Sequence, residues 1–219
     1  KVGIITKTKK KIKMIKNLLL DMGGVILDVS YHKVVETFKS FGIENFDKIY
    51  TQAKQAPIID TFEEGNCTIE EFRNGIRDLL QVPISDEQID KAWFSMILNL
   101  PKEIIQLLGV LKLKYNLYLF SNTNELHIEF LKKDFEKQLG FDLFTCVFNK
   151  AYFSNEIHRR KPHPESFQFV LDDAGIKAEE TLFIDDSPQH LEGAKQIGLN
   201  TYWLTNGETL IDLYDKKII

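Results

Sequence analysis

The sequence lacks most of the features that mark small secreted or membrane-bound proteins. Its 219 residues include only two cysteines, Cys67 and Cys146. They stand far apart and outside any metal-ligand spacing, which argues against a disulfide framework or a zinc site and fits a reducing compartment. No apolar stretch approaches the ~20 residues needed to cross a bilayer. The short apolar run at residues 17–20 ends in charge, unlike the apolar part of a signal peptide, so a cytoplasmic location is expected. There is no internal repeat and no low-complexity tract beyond one lysine-rich arm. With 43% hydrophobic residues, the chain can bury one substantial core and a smaller accessory domain.

Acid outweighs base, and unevenly. The formal net charge is -4, yet residues 1–16 hold seven lysines and no acid, which leaves -11 for the rest once those lysines are set aside. An acidic body repels a phosphate backbone, so no nucleic-acid partner is expected. The arm lacks the aromatic interleaving of an RNA binder and the apolar face of a membrane anchor. It reads as a loosely attached extension, with Met14 directly before the first strand. A small phosphorylated molecule as substrate, and a monomer or weak homodimer, are the expected associations.

Residues 17–21 (NLLLD) form an apolar run bounded by Gly23 and Gly24, the pattern of a strand buried on both faces. Residues 31–100 then carry apolar positions at spacings of three and four. Breaks at Gly42, Pro57, Gly65 and Pro83 divide this stretch into about four helices, and Thr68 with Glu71 and Ser85 with Gln88 form capping boxes. Beyond Pro101 helices alternate with apolar segments: NLYLFSN at 116–122, FTCVFNKAYF at 144–153, ETLFIDD at 180–186 and NTYWL at 200–204. Strands spaced by single helices imply parallel pairing with right-handed crossovers. The expected fold is a doubly wound parallel α/β sheet, built from residues 17–30 and 101–219. A helical cap, residues 31–100, is inserted after the first strand.

In such a sheet the ligand site lies beyond the carboxyl ends of the strands. The first strand ends at Asp21, the second at Ser121 and Asn122, and the fourth at Asp185 and Asp186, while a basic loop with Lys161 follows the third. Any one acid at a strand end also serves as a helix cap or turn former, but the coincidence of four such ends argues for a site. Asp21 can attack as a carboxylate, and Ser121 can donate to a phosphoryl oxygen. Lys161 can screen developing negative charge. The adjacent acids Asp185 and Asp186 offer hard oxygen ligands of the kind magnesium takes.

These segments, in this order, resemble the haloacid dehalogenase superfamily of phosphatases. The first motif aligns with DMGGVILD, the second with LYLFSN, the third with RRKPHPESF and the fourth with TLFIDDSPQHLEGAKQIG, so the resemblance spans residues 17 to 205. Within the superfamily, SNTNELH and YFSNEIHRRKP are similar to bacterial sugar-phosphate phosphatases of the glucose-1-phosphatase kind. The resemblance implies a magnesium-dependent phosphomonoesterase acting on a small sugar phosphate. Asp21 would be the nucleophile that forms an aspartyl-phosphate, Asp186 a direct metal ligand, and Asp185 a ligand acting through water. The carbonyl of Gly23 would complete the metal shell. Ser121, Lys161 and the backbone N–H groups of Met22, Gly23 and Asn122 would hold the phosphoryl oxygens.

One departure bears on the chemistry. Most phosphatases of the superfamily carry a second aspartate two residues after the nucleophile, as general acid and base; here that position is Gly23, as it is in the sugar-phosphate subgroup. The candidate replacements are Asp28 and His127, with a structural or substrate-binding role for His127 as the alternative. His158, His163 and His190 read as loop histidines, and Arg159 and Arg160 either meet an anionic substrate or face solvent. The resemblance places the turn FEEGNCT over the pocket, where Glu63, Glu64 and Asn66 could bond sugar hydroxyls. Glu64, Asn66 and His127 are the expected specificity residues. A catalytically weak sugar-phosphate binder and a haloacid dehalogenase are the competing readings.

Overall fold

The structure, a computed structural model, describes residues 14–44, 46–48, 56–205 and 207–219. Residues 1–13 of the basic arm, and most of the helix expected over 46–56, lie outside these. In chain order the elements begin with β1 (Asn17–Leu20), α1 (Tyr31–Ser40), a 3-10 turn (Phe46–Lys48), α2 (Pro57–Glu63), α3 (Ile69–Leu80), α4 (Asp86–Phe94) and α5 (Lys102–Leu111). Next come β2 (Asn116–Ser121), α6 (Glu125–Leu139), α7 (Leu143–Val147), β3 (Lys150–Phe153), α8 (Ser154–Ile157) and α9 (Pro164–Ala174). A second 3-10 turn, β4 (Thr181–Asp185), α10 (Pro188–Gln196), β5 (Asn200–Trp203) and α11 (Leu210–Asp215) complete the chain. None of the described helices is long and apolar enough to cross a membrane.

All five strands are parallel, in the order β3-β2-β1-β4-β5. Side chains alternate across the sheet with period two. Leu18, Leu20, Leu117, Leu119, Leu182 and Ile184 pack on the side of α5, α6 and α11. Leu19, Tyr118, Phe120 and Phe183 pack on the opposite side, against α9 and α10. Both faces are covered, which is why these strands read as continuous apolar runs.

The helices between β1 and α5 bury a second core around Phe38, Phe46, Ile59, Phe62, Phe72 and Trp93. Its aromatic rings stack closely, Phe38 on Phe46 at 4.0 Å and Phe62 on Phe72 at 4.2 Å between centroids; each ring removed from water contributes roughly 1.5–3 kcal/mol. Both capping boxes form, Thr68 with Glu71 and Ser85 with Gln88. Pro57 stands in the first turn of α2, where its missing N–H costs nothing.

The third strand is shorter than its sequence suggests. β-rich composition over FTCVFNKAYF predicts one strand, but Asp142 caps Phe144 and winds 143–147 into α7. Pairing begins only near Asn149, whose side chain accepts from the Leu117 N–H.

The cap leaves and rejoins the core as a two-stranded ribbon. Asp28 N–H donates to Asn99 O at 2.8 Å, Leu98 N–H to Asp28 O at 2.9 Å and Ser30 N–H to Met96 O at 2.9 Å, with Val29 and Ile97 bridged antiparallel. At the far side the turn after α2 meets α8. There Gly65 has φ +67, and a Cβ on it would stand 2.1 Å from the Asn155 carbonyl oxygen. Gly65→Ala is therefore expected to lower stability by about 1–3 kcal/mol, from left-handed strain and a displaced contact. Urea unfolding measures this, and an unchanged midpoint would mean that this contact contributes nothing.

Candidate active site

Asp21, Ser121 and Asp185 are delivered by the ends of the three central strands, β1, β2 and β4, and Lys161 by the loop between α8 and α9. Asp21 extends β1 by one residue, its N–H donating to Ile184 O at 3.0 Å. The chain then turns sharply, Met22 O accepting from both Ile26 and Leu27 N–H at 2.9 Å. Gly24 is indispensable to this turn: φ is +74, and a Cβ would lie 2.5 Å from Asp186 Oδ2. Gly23 is different, because a Cβ there would meet only the Val29 methyls at 3.4 Å, an ordinary contact. The Met22 and Gly23 N–H groups donate to nothing among the described residues, and the Gly23 carbonyl likewise accepts nothing there.

Lys161 joins three strand ends. Its Nζ lies 2.7 Å from Asp21 Oδ1 and 2.7 Å from Asp185 Oδ2, and the residue is fully buried. The rings of Phe120 and Phe183 face the ammonium at 5.6 and 5.5 Å from their centroids. The Asn122 amide fixes the lysine backbone at two points, donating to Lys161 O and accepting from Lys161 N–H, both at 2.9 Å. Asp185 is also held by Ser187 N–H at 2.8 Å and by His190 Nδ1, 3.0 Å from each carboxylate oxygen.

These contacts set the charge states. Burial pushes the Asp185 carboxyl upward, but Lys161 and His190 outweigh it and bring it down to about 2. Burial likewise disfavours the Lys161 ammonium, and the two carboxylates more than compensate, so its pKa is raised. For Asp21 burial prevails over the attraction of Lys161 and the carboxyl is raised.

Asp21, Met22, Gly23, Ser121, Asn122, His127, Lys161 and Asp186 line one cavity of about 340 Å³ beneath the cap, within the size range of small-molecule sites. Asp185 stands behind it. Asp21, Asp185 and Asp186 offer carboxylate oxygens that all lie within 4.8 Å of one another. Three hard oxygens that close suit a divalent cation such as magnesium. Glu64 and Asn66 do not line the cavity: Asn66 is exposed and bonds Glu64 Oε2 at 3.1 Å, and Glu64 O is held by His158 Nδ1 at 2.8 Å. Their places are taken by Asp60, Glu63, Tyr31 and Arg160. Arg160 faces neither solvent nor a free anion but pairs with Asp60 and, at 2.7 Å, with Glu63.

The two acid-base candidates are both committed elsewhere. Asp28 is exposed in the ribbon. His127 is buried with both ring nitrogens engaged, Nε2 on the Trp93 carbonyl at 3.0 Å and Nδ1 on the Asn124 amide at 3.2 Å. The carbonyl can only accept, so the proton sits on Nε2. The ring also stacks on Trp93, tying α6 to the cap. His190 was read from the sequence as a loop histidine. It lies in α10, which Pro188 starts, and its ring turns back onto Asp185, five residues earlier.

A sequence model of haloacid dehalogenase-like hydrolases matches residues 15–198. The chain belongs to this family. It is similar to a D-ribitol-5-phosphate phosphatase of Bacteroides thetaiotaomicron, 30% identical over 194 residues covering 89% of this chain and 94% of that protein. It is also similar to a crystal structure of a HAD family enzyme from the same organism, a mutant in complex with magnesium and inorganic phosphate. There the identity is 38%, the TM-score 0.85, and the coverage 91% of this chain and 98% of that one. A HAD-like family hydrolase from Porphyromonas gingivalis is 27% identical with a TM-score of 0.83, covering 94% and 98% of the two chains.

In this family member the cap contact of His127 makes stability depend on pH. Burial lowers its pKa from an ordinary 6.5 to about 4, although the Trp93 carbonyl pulls the other way. Between these values the unfolded chain binds a proton that the folded protein refuses. His127 thus contributes fully above about pH 6.5, and stability falls by roughly 3 kcal/mol as pH drops to about 4. Urea midpoints measured across that range in the wild type and in His127→Gln check this: the variant is expected to lose the slope.

Proposed function

We propose that the protein is a magnesium-dependent phosphomonoesterase that cleaves a small sugar or polyol phosphate through an aspartyl-phosphate on Asp21. The observation that carries this is the meeting of Asp21, Lys161 and Asp186 in one cavity, beside the free backbone N–H groups of Met22 and Gly23 and with Asp185 behind the lysine. The magnesium and phosphate named in the related complex and the substrate named for the related phosphatase support the same reading. A dehalogenase would have no use for the cluster of three carboxylates.

The roles follow from what each group has left to offer. Only one oxygen of Asp21 is bonded to Lys161, so the other is open to attack phosphorus. An ammonium has three N–H donors; Lys161 spends two on Asp21 and Asp185 and keeps one for a phosphoryl oxygen. The Ser121 hydroxyl, whose sole described contact is a 3.4 Å approach to the adjacent Asn122 carbonyl, is a second donor, and the Met22 and Gly23 N–H groups supply two more. Asp21, Asp186 and the unengaged Gly23 carbonyl would hold magnesium, which when bound neutralises phosphoryl charge. The oxygens of Asp185 are already taken by Ser187, His190 and Lys161, so its work is to position the lysine. No carboxylate at position 23 protonates the leaving oxygen.

Phosphate release from a panel of sugar and polyol phosphates, with and without magnesium, tests the reading. Asp21→Asn is expected to abolish turnover, and Asp186→Asn to raise the magnesium concentration needed for half activity; an unchanged magnesium midpoint would remove Asp186 from the shell.

The second expectation concerns Gly23. Without an acid there, anomeric and aryl phosphates should react faster than primary alkyl phosphates of equal size. Because the Gly23 position has room for a Cβ, Gly23→Asp should raise turnover of the alkyl esters by about 10²-fold or more. A flat response to leaving-group pKa in the wild type would show that another residue already supplies the proton.

A further inference from the structure

Thr123 and Arg160 both line the cavity, and each keeps one buried side-chain atom without a partner among the described residues, Thr123 Oγ1 and Arg160 Nε. Thr123 is only 3% exposed. Its backbone is fully used: its N–H donates to Ser154 Oγ at 2.9 Å, and its carbonyl accepts from the same hydroxyl at 3.0 Å. The loop is fixed, and the Thr123 hydroxyl is left over. Arg160 spends one terminal nitrogen on Asp60 and the other on Glu63, which leaves the Nε–H. Buried polar atoms in folded proteins are nearly always satisfied by protein, water or ligand, and two orphans carried by residues that line one cavity point to a ligand bound there.

The charges say what that ligand is not. Asp60, Glu63 and Arg160 together carry one net negative charge. The other cation of the wall, Lys161, is held by Asp21 and Asp185, and His127 is neutral with both nitrogens engaged. A second phosphate or carboxylate on the substrate would thus face two acids and no free cation among these groups. A hydroxyl suits them, since it can accept from Arg160 Nε–H and donate to Thr123 Oγ1 or a carboxylate.

Resting on the phosphomonoesterase reading, we propose that Thr123 and Arg160 form a subsite for hydroxyl groups of the leaving alcohol, and that Asp60 and Glu63 make it reject leaving groups bearing a second anion. Thr123 and Arg160 are then specificity-determining residues contributed by the core, not by the cap.

The test compares kcat/KM of the full chain for a pentitol 5-phosphate, fructose 1,6-bisphosphate and 4-nitrophenyl phosphate, with magnesium. The pentitol ester is expected to exceed the bisphosphate by at least about 100-fold, and Glu63→Gln to narrow that gap about tenfold. Thr123→Val should lower the ratio of pentitol to nitrophenyl ester about tenfold, the scale of one hydrogen bond to a buried group, mainly through KM; Thr123→Ser should restore it. An equal fall for both esters would place the hydroxyl on the phosphoryl group and overturn the proposal, as would an unchanged ratio or efficient bisphosphate turnover. Failure to cleave any ester would instead sink the phosphomonoesterase reading. Calorimetric binding of the pentitol phosphate to Asp21→Asn, with and without Thr123→Val, examines the subsite separately: about tenfold weaker binding supports it and equal binding overturns it.

Discussion

The ammonium of Lys161 is buried between two carboxylates, and the rest of the site is arranged around it. An ion stripped of water at that depth is tolerated only if opposite charges and hydrogen bonds replace the lost hydration, and deleting one partner of such a pair commonly costs about 3–5 kcal/mol. Asp21 and Asp185 supply that replacement at 2.7 Å each. Each must in turn be held in place, Asp21 by the ladder to β4 and Asp185 by Ser187 and His190. The Asn122 amide locks the lysine backbone as a strand partner would. A single charge-neutralising constraint thus reaches three strand ends and fixes where an incoming phosphate finds its donors.

Arg160 and Lys161 are neighbours in sequence with opposite allegiances. The lysine turns into the core carboxylates, and the arginine turns out to Asp60 and Glu63 of the cap. With His127 on Trp93 and His158 on Glu64, the closed arrangement is held by polar contacts at three places around the rim. Such contacts are orientational. They give the cavity a defined wall beside an apolar contact in which Leu126 of α6 joins the cap core and Phe94 stacks on Phe130.

Much of this was legible in the sequence, because the signals were local. Apolar runs ending in Asp21, Ser121 and Asp185 mark buried parallel strands, and the catalytic edge follows from where they stop. The capping boxes at Thr68 and Ser85 fixed two cap helices from four residues each. Contacts made across the interface were not legible. Nothing in FEEGNCT says that Glu63 faces inward and Glu64 outward; the turn that sends them apart is set by Gly65 packing on Asn155. Asp60 and Tyr31 lie on cap helices whose inward faces only the tertiary fold defines. For His190 a signal existed, a proline at a helix start after an acidic pair, but the return of the ring to Asp185 needs the helix to be in place. The 143–147 segment reads as strand because its aromatic and β-branched content outweighs one capping aspartate, Asp142.

The ribbon formed by residues 28–30 and 96–99 has a mechanical consequence. Both crossings of the chain between the two parts lie side by side and are hydrogen-bonded to each other, so they behave as one strap and not as two separate tethers. A body held by a single strap keeps one easy rotation, about an axis through the strap, and resists translation. His127 meets Trp93 three residues before the strap, whereas Arg160 and His158 hold α2 and the turn after it, so a swing about the strap would have to release the contacts of α2.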